Sequence, residues 1–204
     1  MNEETNLGDR SRDTASAPRD HQKADRRPWL AAALRRWPTW LAIAMAAALA
    51  PGTTVGELAT ALPLLAFGYL AAAALQRRQA TWLIAVGVVA AYAALRMQNW
   101  VDLLVVLVAA AIALVFWGAL RGQLRRGALV VEAAGMVGFT AISLAALSAD
   151  PDLGRWVVAA GWFGHTAWDL AHLKTDKVVS RSLAECCAVF DVLRAIAILV
   201  LPAG

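Results

Sequence analysis

From Trp37 to Leu201 the chain is a succession of long apolar runs joined by short polar connections. Seven runs can be distinguished, at 37–55, 56–75, 80–97, 100–119, 127–148, 155–173 and 182–201. Most approach the ~20 residues that a helix needs to cross the hydrocarbon core of a bilayer. Of its 204 residues 60% are hydrophobic and 17% charged, whereas an ordinary soluble domain has about 25% charged. The pattern predicts an all-α polytopic membrane protein, a bundle of seven transmembrane helices.

The basic residues set its orientation. Arg26, Arg27, Arg35 and Arg36 precede the first run, Arg77 and Arg78 follow the second, Arg121, Arg125 and Arg126 the fourth, and Lys174, Lys177 and Arg181 the sixth. The intervening connections at 51–55, 97–99 and 149–154 hold no Lys or Arg. Cytoplasmic loops carry the excess of Lys and Arg, so the N-terminus is expected in the cytoplasm and the C-terminus outside. Pro51-Gly52-Thr53-Thr54 interrupts the first run. Discarding that run would place the leading arginines outside, which favours seven crossings. The same clustering accounts for the net charge of +4 without nucleic acid, which is not an expected partner; the lipid bilayer is. Gly135/Gly138 and Gly161/Gly164 are small pairs of the kind that let membrane helices approach closely. Trp37, Trp40, Trp82, Trp100, Trp117 and Trp156 fall near run ends, as interfacial anchoring requires.

Residues 1–28 have almost no large apolar side chains and are expected to form a disordered cytoplasmic tail, which includes His21, ahead of a transmembrane domain at 29–204. No apolar core of a secretory signal lies in the tail, so insertion through uncleaved helices is expected. Cys186 and Cys187 are adjacent, and neighbours on a helix point about 100° apart, so no disulfide is expected between them.

An ionisable group at membrane depth is costly and usually functional, so each polar residue inside a run needs an explanation. Several have a local one. Thr54-Val55-Gly56-Glu57 and Ser182-Leu183-Ala184-Glu185 match a helix capping box, and Asn99-Trp100-Val101-Asp102 resembles one. Glu132 enters the fifth run where Arg125 or Arg126 is a ready partner. Asp191 has no such account. It lies about nine residues into the seventh run, near the bilayer centre. Arg194 at i+3 is its expected counter-ion, and Cys187 at i−4 extends the stripe.

The sixth run carries the densest group, because His165, Asp169 and His172 recur at spacings that return to one helix face. Descending the sixth helix and rising along the seventh brings His165 level with Asp191. His165, Asp169, His172, Asp191 and Arg194 are therefore the candidate site, expected in a cytoplasm-facing pocket between the sixth and seventh spans. Imidazole and carboxylate suit a divalent metal such as zinc at about 2.0–2.2 Å, with a position left for water. The two histidines lie about 10.5 Å apart along the axis. One would ligate with Asp169 and with Asp191 or Glu132, and the other would sit hydrogen-bonded behind Asp169. Water activated there would hydrolyse a lipid-like substrate from the inner leaflet. Two further readings stay open: the same groups as a proton relay in a small-molecule transporter, and a structural network in an accessory or scaffold protein. Bis-histidine haem ligation is not expected, since both histidines share a helix. A retinal Schiff base would need an interior lysine that the last two runs lack. Trp168 is expected to pack against a neighbouring helix.

The stretch from Gly161 to Leu201, with His165-x-x-Trp168-Asp169-x-x-His172, Ala184-Glu185-Cys186-Cys187 and Asp191-Val192-Leu193, resembles a group of small bacterial membrane proteins without an established activity. That resemblance implies the inner (plasma) membrane of a bacterial cell. The seven-span topology with a polar inner site is also similar to the progestin and adiponectin receptor and alkaline ceramidase superfamily of zinc-dependent membrane hydrolases. The last helix here has no counterpart to that superfamily's H-x-x-x-H, so the similarity is one of architecture.

Overall fold

A computed structural model describes residues 28–49, 53–98 and 102–200. They form α1 (Pro28–Arg35), α2 (Trp37–Ala48), α3 (Val55–Leu75), α4 (Thr81–Arg96), α5 (Leu103–Leu120), α6 (Ala128–Ser148), α7 (Pro151–Thr175) and α8 (Arg181–Val200), with 3-10 turns at Arg78–Ala80 and Gln123–Arg126. Among the described residues there is no strand. The chain divides into two compact units, 1–35 and 36–204. Helix α1 is the described part of the first unit, and helices α2 to α8 build the second. The expected disordered tail with His21, the Pro51-Gly52 interruption and Asn99-Trp100-Val101 lie outside the described residues.

Each of the seven apolar runs contains one helix. Helices α3, α5 and α6, and α4 with the turn before it, are long and apolar enough to cross a membrane. Helices α7 and α8 have the length, 25 and 20 residues, but carry most of the buried polar groups. Helix α2 is shorter than its run. It has 12 residues and rises about 18 Å, against a hydrocarbon core of ~30 Å. It ends at Ala48, just ahead of Pro51, where the coming proline disfavours helical backbone.

The helix starts follow local chemistry. The Thr54 hydroxyl accepts from the Glu57 amide and the Glu57 carboxylate from the Thr54 amide, both at 3.2 Å, which closes the expected capping box. Asp102 caps α5 as the N-cap itself, accepting from the Leu104 and Val105 amides. The box expected at Ser182 does not form. The helix begins earlier, the Ser180 hydroxyl accepts from the Leu183 amide, and Glu185 is drawn instead to Arg36 at 3.2 Å and Thr39 at 2.7 Å.

Paired positions fix the helix directions. Arg155 meets the Leu199 carbonyl and His165 meets Asp191, so α7 and α8 are antiparallel. So are α6 and α7, through Phe139 with His165 and Glu132 with His172, and α3 and α4, through Thr60 with Tyr92 and Glu57 with Arg96. Helices α3 and α7 run parallel, joined by Leu58 with Trp162 and Tyr69 with Asp169. Helices α2 and α8 do likewise, through Thr39 with Glu185 and Leu49 with Arg194.

Helix α3 is central, packed against α4, α5, α6 and α7, while α8 lies against α7 and α2. Close packing needs small residues at several contacts, Gly161 and Gly135 among them. A Cβ on Gly161 would stand 2.6 Å from Leu62 and 2.8 Å from Ile142, and one on Gly135 2.8 Å from the Trp168 ring. Gly138 has open space around it. Helices α4 and α5 turn Leu83, Val86, Val105, Ile112 and Phe116 outward, a surface that lipid satisfies and water does not. Trp37, Trp40, Trp117 and Trp156 are exposed near helix ends, and Trp82 packs on Trp37 and donates to Ser182.

Candidate functional site

Helix α7 turns His165, Asp169 and His172 to its buried side, as their spacing requires. The His165 Nδ1 atom lies 2.7 Å from Asp191 Oδ2 and 3.5 Å from Asp169 Oδ2, and all three side chains are fully buried. Helix α3 adds a residue from outside this pair of helices: the Tyr69 hydroxyl donates to Asp169 Oδ1 at 2.5 Å. Ligand atoms of His165, Asp169 and Asp191 fall within 4.8 Å of one another. Towards the start of α7 the surroundings become apolar. Phe139 packs 4.8 Å from the His165 ring, and Trp162 sits against Phe190 with its indole N–H on the Leu58 carbonyl.

Three atoms of the cluster have no hydrogen-bond partner among the described residues: His165 Nε2, Asp169 Oδ2 and Asp191 Oδ1. An unpaired buried polar atom costs roughly 1–3 kcal/mol, and more if charged, so the cluster holds unused lone pairs where they are most expensive. Two carboxylates with a neutral imidazole balance a divalent cation, and the mix of nitrogen and oxygen matches zinc and its neighbours. Such an ion would replace the proton that Nδ1 otherwise donates to Asp191, since metal ligands must be deprotonated.

His172 stands apart from this group. Its Nδ1 donates to the Trp168 carbonyl at 2.9 Å and its Nε2 lies 2.8 Å from Glu132 Oε1, so neither nitrogen is free. Glu132 is 1% exposed and faces α7 instead of pairing with Arg125; its Oε2 accepts the Trp168 indole N–H at 3.2 Å. Trp168 therefore packs against a neighbouring helix, as expected, and also orients a carboxylate. The Tyr69 ring stands edge-on to both histidines, 5.6 Å from His165 and 4.8 Å from His172.

Arg194 is buried but does not pair with Asp191. Its Nη1 donates to the Leu49 carbonyl at 3.2 Å. The last carbonyls of α2 have no partner within their own helix and carry the negative end of its dipole, which draws the cation away from the i−3 carboxylate. The side chain facing Asp191 is instead His165. Both cysteines are free, and Cys187 packs against the cluster of Tyr69, Ala72 and Leu183.

The structure thus joins His165, Asp169 and Asp191, gives His172 to a second pair with Glu132, and sends Arg194 elsewhere. Tyr69 escapes sequence reasoning, for its only mark is a hydroxyl well inside the apolar run Ala66-Phe67-Gly68-Tyr69-Leu70. Between α7 and α8 the His165 and Asp191 side chains meet directly. Two apolar grooves, of about 580 and 680 Å³, lie along α3–α5 and along α5–α6, and neither is lined by a residue of the cluster. At the nearer end of the bundle Arg78 binds Asp176 and the Val179 carbonyl, which ties the α3–α4 connection to the α7–α8 connection. Comparison with known protein families, curated proteins and solved structures finds no match for this chain.

Proposed function

We propose that this is an integral membrane protein whose core holds a divalent metal ion at His165, Asp169 and Asp191. The observation that carries this reading is the burial together of His165, Asp169 and Asp191, with ligand atoms within 4.8 Å of one another and a polar atom without a hydrogen-bond partner on each. Around it we place seven crossings of a bacterial inner membrane, with the N-terminus in the cytoplasm and the C-terminus outside. The alternating helix directions support that topology, as does the contact of Arg78 with the α7–α8 connection, which gathers basic connections at one end. The cluster then lies in the membrane, with His172 and Glu132 between it and the cytoplasmic end.

A zinc-class ion bound by one imidazole and two carboxylates keeps a position for water and lowers that water's pKa towards neutrality. Hydrolysis of a lipid-like substrate from the inner leaflet is the reaction class this chemistry serves. A second reading, proton-coupled transport, is favoured by the ladder of polar side chains from Glu132 and His172 past Tyr69 to Asp169, His165 and Asp191. The apolar packing of Phe139, Trp162 and Phe190 beyond His165 weighs against a route through the far half.

The test is elemental analysis of the detergent-purified protein after a mild chelator wash, beside Asp191→Asn and His165→Ala. Near-stoichiometric metal in the wild type and none in the variants is the expected result. A folded wild type without metal removes the metal reading and leaves the relay, which proton flux into liposomes would then examine.

A further inference from the structure

We infer that Tyr69 is the positioning residue of this metal site, holding Asp169 to a single ligating oxygen and so keeping the coordination number low. The inference rests on the metal reading above and adds what selects the ion. A carboxylate is free to bind a metal through one oxygen or both, and the choice sets how many positions the ion fills. Here the two oxygens of Asp169 have different fates. Oδ1 accepts the phenol hydroxyl at 2.5 Å, while Oδ2 faces His165 and has no hydrogen-bond partner. A hydroxyl-to-carboxylate hydrogen bond of that length is charge-assisted and strong for its class.

The phenol is itself held. Tyr69 is 3% exposed, and its ring is fixed edge-on between His165 and His172. It comes from α3, the central helix, so the site is braced by a third element beyond the two that supply its ligands. With Asp169 restricted to Oδ2, the protein offers three donor groups and leaves one place for water, the open tetrahedral arrangement of catalytic zinc. Calcium, which fills six to eight positions with oxygen, would gain from a second Asp169 oxygen, and Tyr69 occupies it. The residue therefore acts on ion choice through Asp169.

Cobalt(II), a spectroscopic stand-in for zinc, tests this in the full-length protein and in Tyr69→Phe. Four-coordinate cobalt absorbs visible light strongly, and five- or six-coordinate cobalt weakly. The wild type is expected to show the strong bands. Tyr69→Phe should lose them and bind zinc about 10- to 100-fold more weakly, the usual effect of removing an outer hydrogen bond to a ligand. The metal-stripped proteins should unfold at similar temperatures, which separates positioning from a general loss of structure. Identical strong bands in both proteins would overturn the role of Tyr69 and leave the metal site standing. A wild type that takes up neither cobalt nor zinc would overturn the metal reading itself, and this inference with it. If Tyr69→Phe does not fold, the wild-type spectrum still decides, because weak bands there contradict a single-oxygen Asp169.

Discussion

Replacing Gly135 by alanine should unfold the protein at a markedly lower temperature, and the reason lies in one contact. The new methyl would stand 2.8 Å from Trp168 Cζ2 and 3.1 Å from Cη2. Carbon atoms prefer about 3.5–4.0 Å, so the indole must retreat from α6 by about 0.7 Å. Glu132 is on the same helix as Gly135, so the retreat draws the indole N–H off its carboxylate, and a bond now at 3.2 Å passes out of range. Overpacking of this kind costs about 1–3 kcal/mol, and a lost hydrogen bond to a charged group about 1.5–3 kcal/mol. Together they come to about 2.5–6 kcal/mol, or on the order of 10 °C in a chain of this size. Thermal unfolding in detergent, followed by tryptophan fluorescence, measures it. Gly138→Ala, one turn along the same helix with nothing within 4 Å, is the control, expected to be neutral or to gain up to ~1 kcal/mol of helix propensity. A Gly135→Ala protein that melts within about 2 °C of wild type would refute the packing argument.

Removing the carboxylate of Glu132 with alanine strands the His172 Nε2 atom and the Trp168 indole N–H, at roughly 1–3 kcal/mol each, whereas Glu132→Gln keeps a polar partner and should lose clearly less. Equal losses by thermal unfolding would show that the pair contributes little. Arg194→Met keeps the apolar stem and removes only the hydrogen bond to Leu49. It should cost about 1 kcal/mol and leave bound metal unchanged. Metal lost from that variant on elemental analysis would mean that Arg194 serves Asp191 after all.

The positions of the helices were legible in the sequence because hydropathy is a property of consecutive residues. The cap at Thr54 was legible for the same reason, since it is decided within a few residues. So was half of the site. His165, Asp169 and His172 share a face by spacing alone, and counting helical rise outward from the short α7–α8 connection sets Asp191 level with His165. Errors arose where a side chain had a choice of partner. Glu185 had its own helix end to cap and took Arg36 and Thr39. Arg194 had a carboxylate at i−3 and took the carbonyl of Leu49.

Sequence by itself determined that seven apolar runs each hold a helix and which face of α7 carries ionisable groups, because periodicity and loop length act along the chain. Tertiary structure alone decided that Tyr69 reaches Asp169, that Glu132 claims His172, and that Gly135 but not Gly138 lies under a ring. Those outcomes depend on the rotation of each helix about its axis and on which neighbour it meets. In runs apolar on nearly every side, no stripe in the sequence specifies that rotation; it is set when the helices pack.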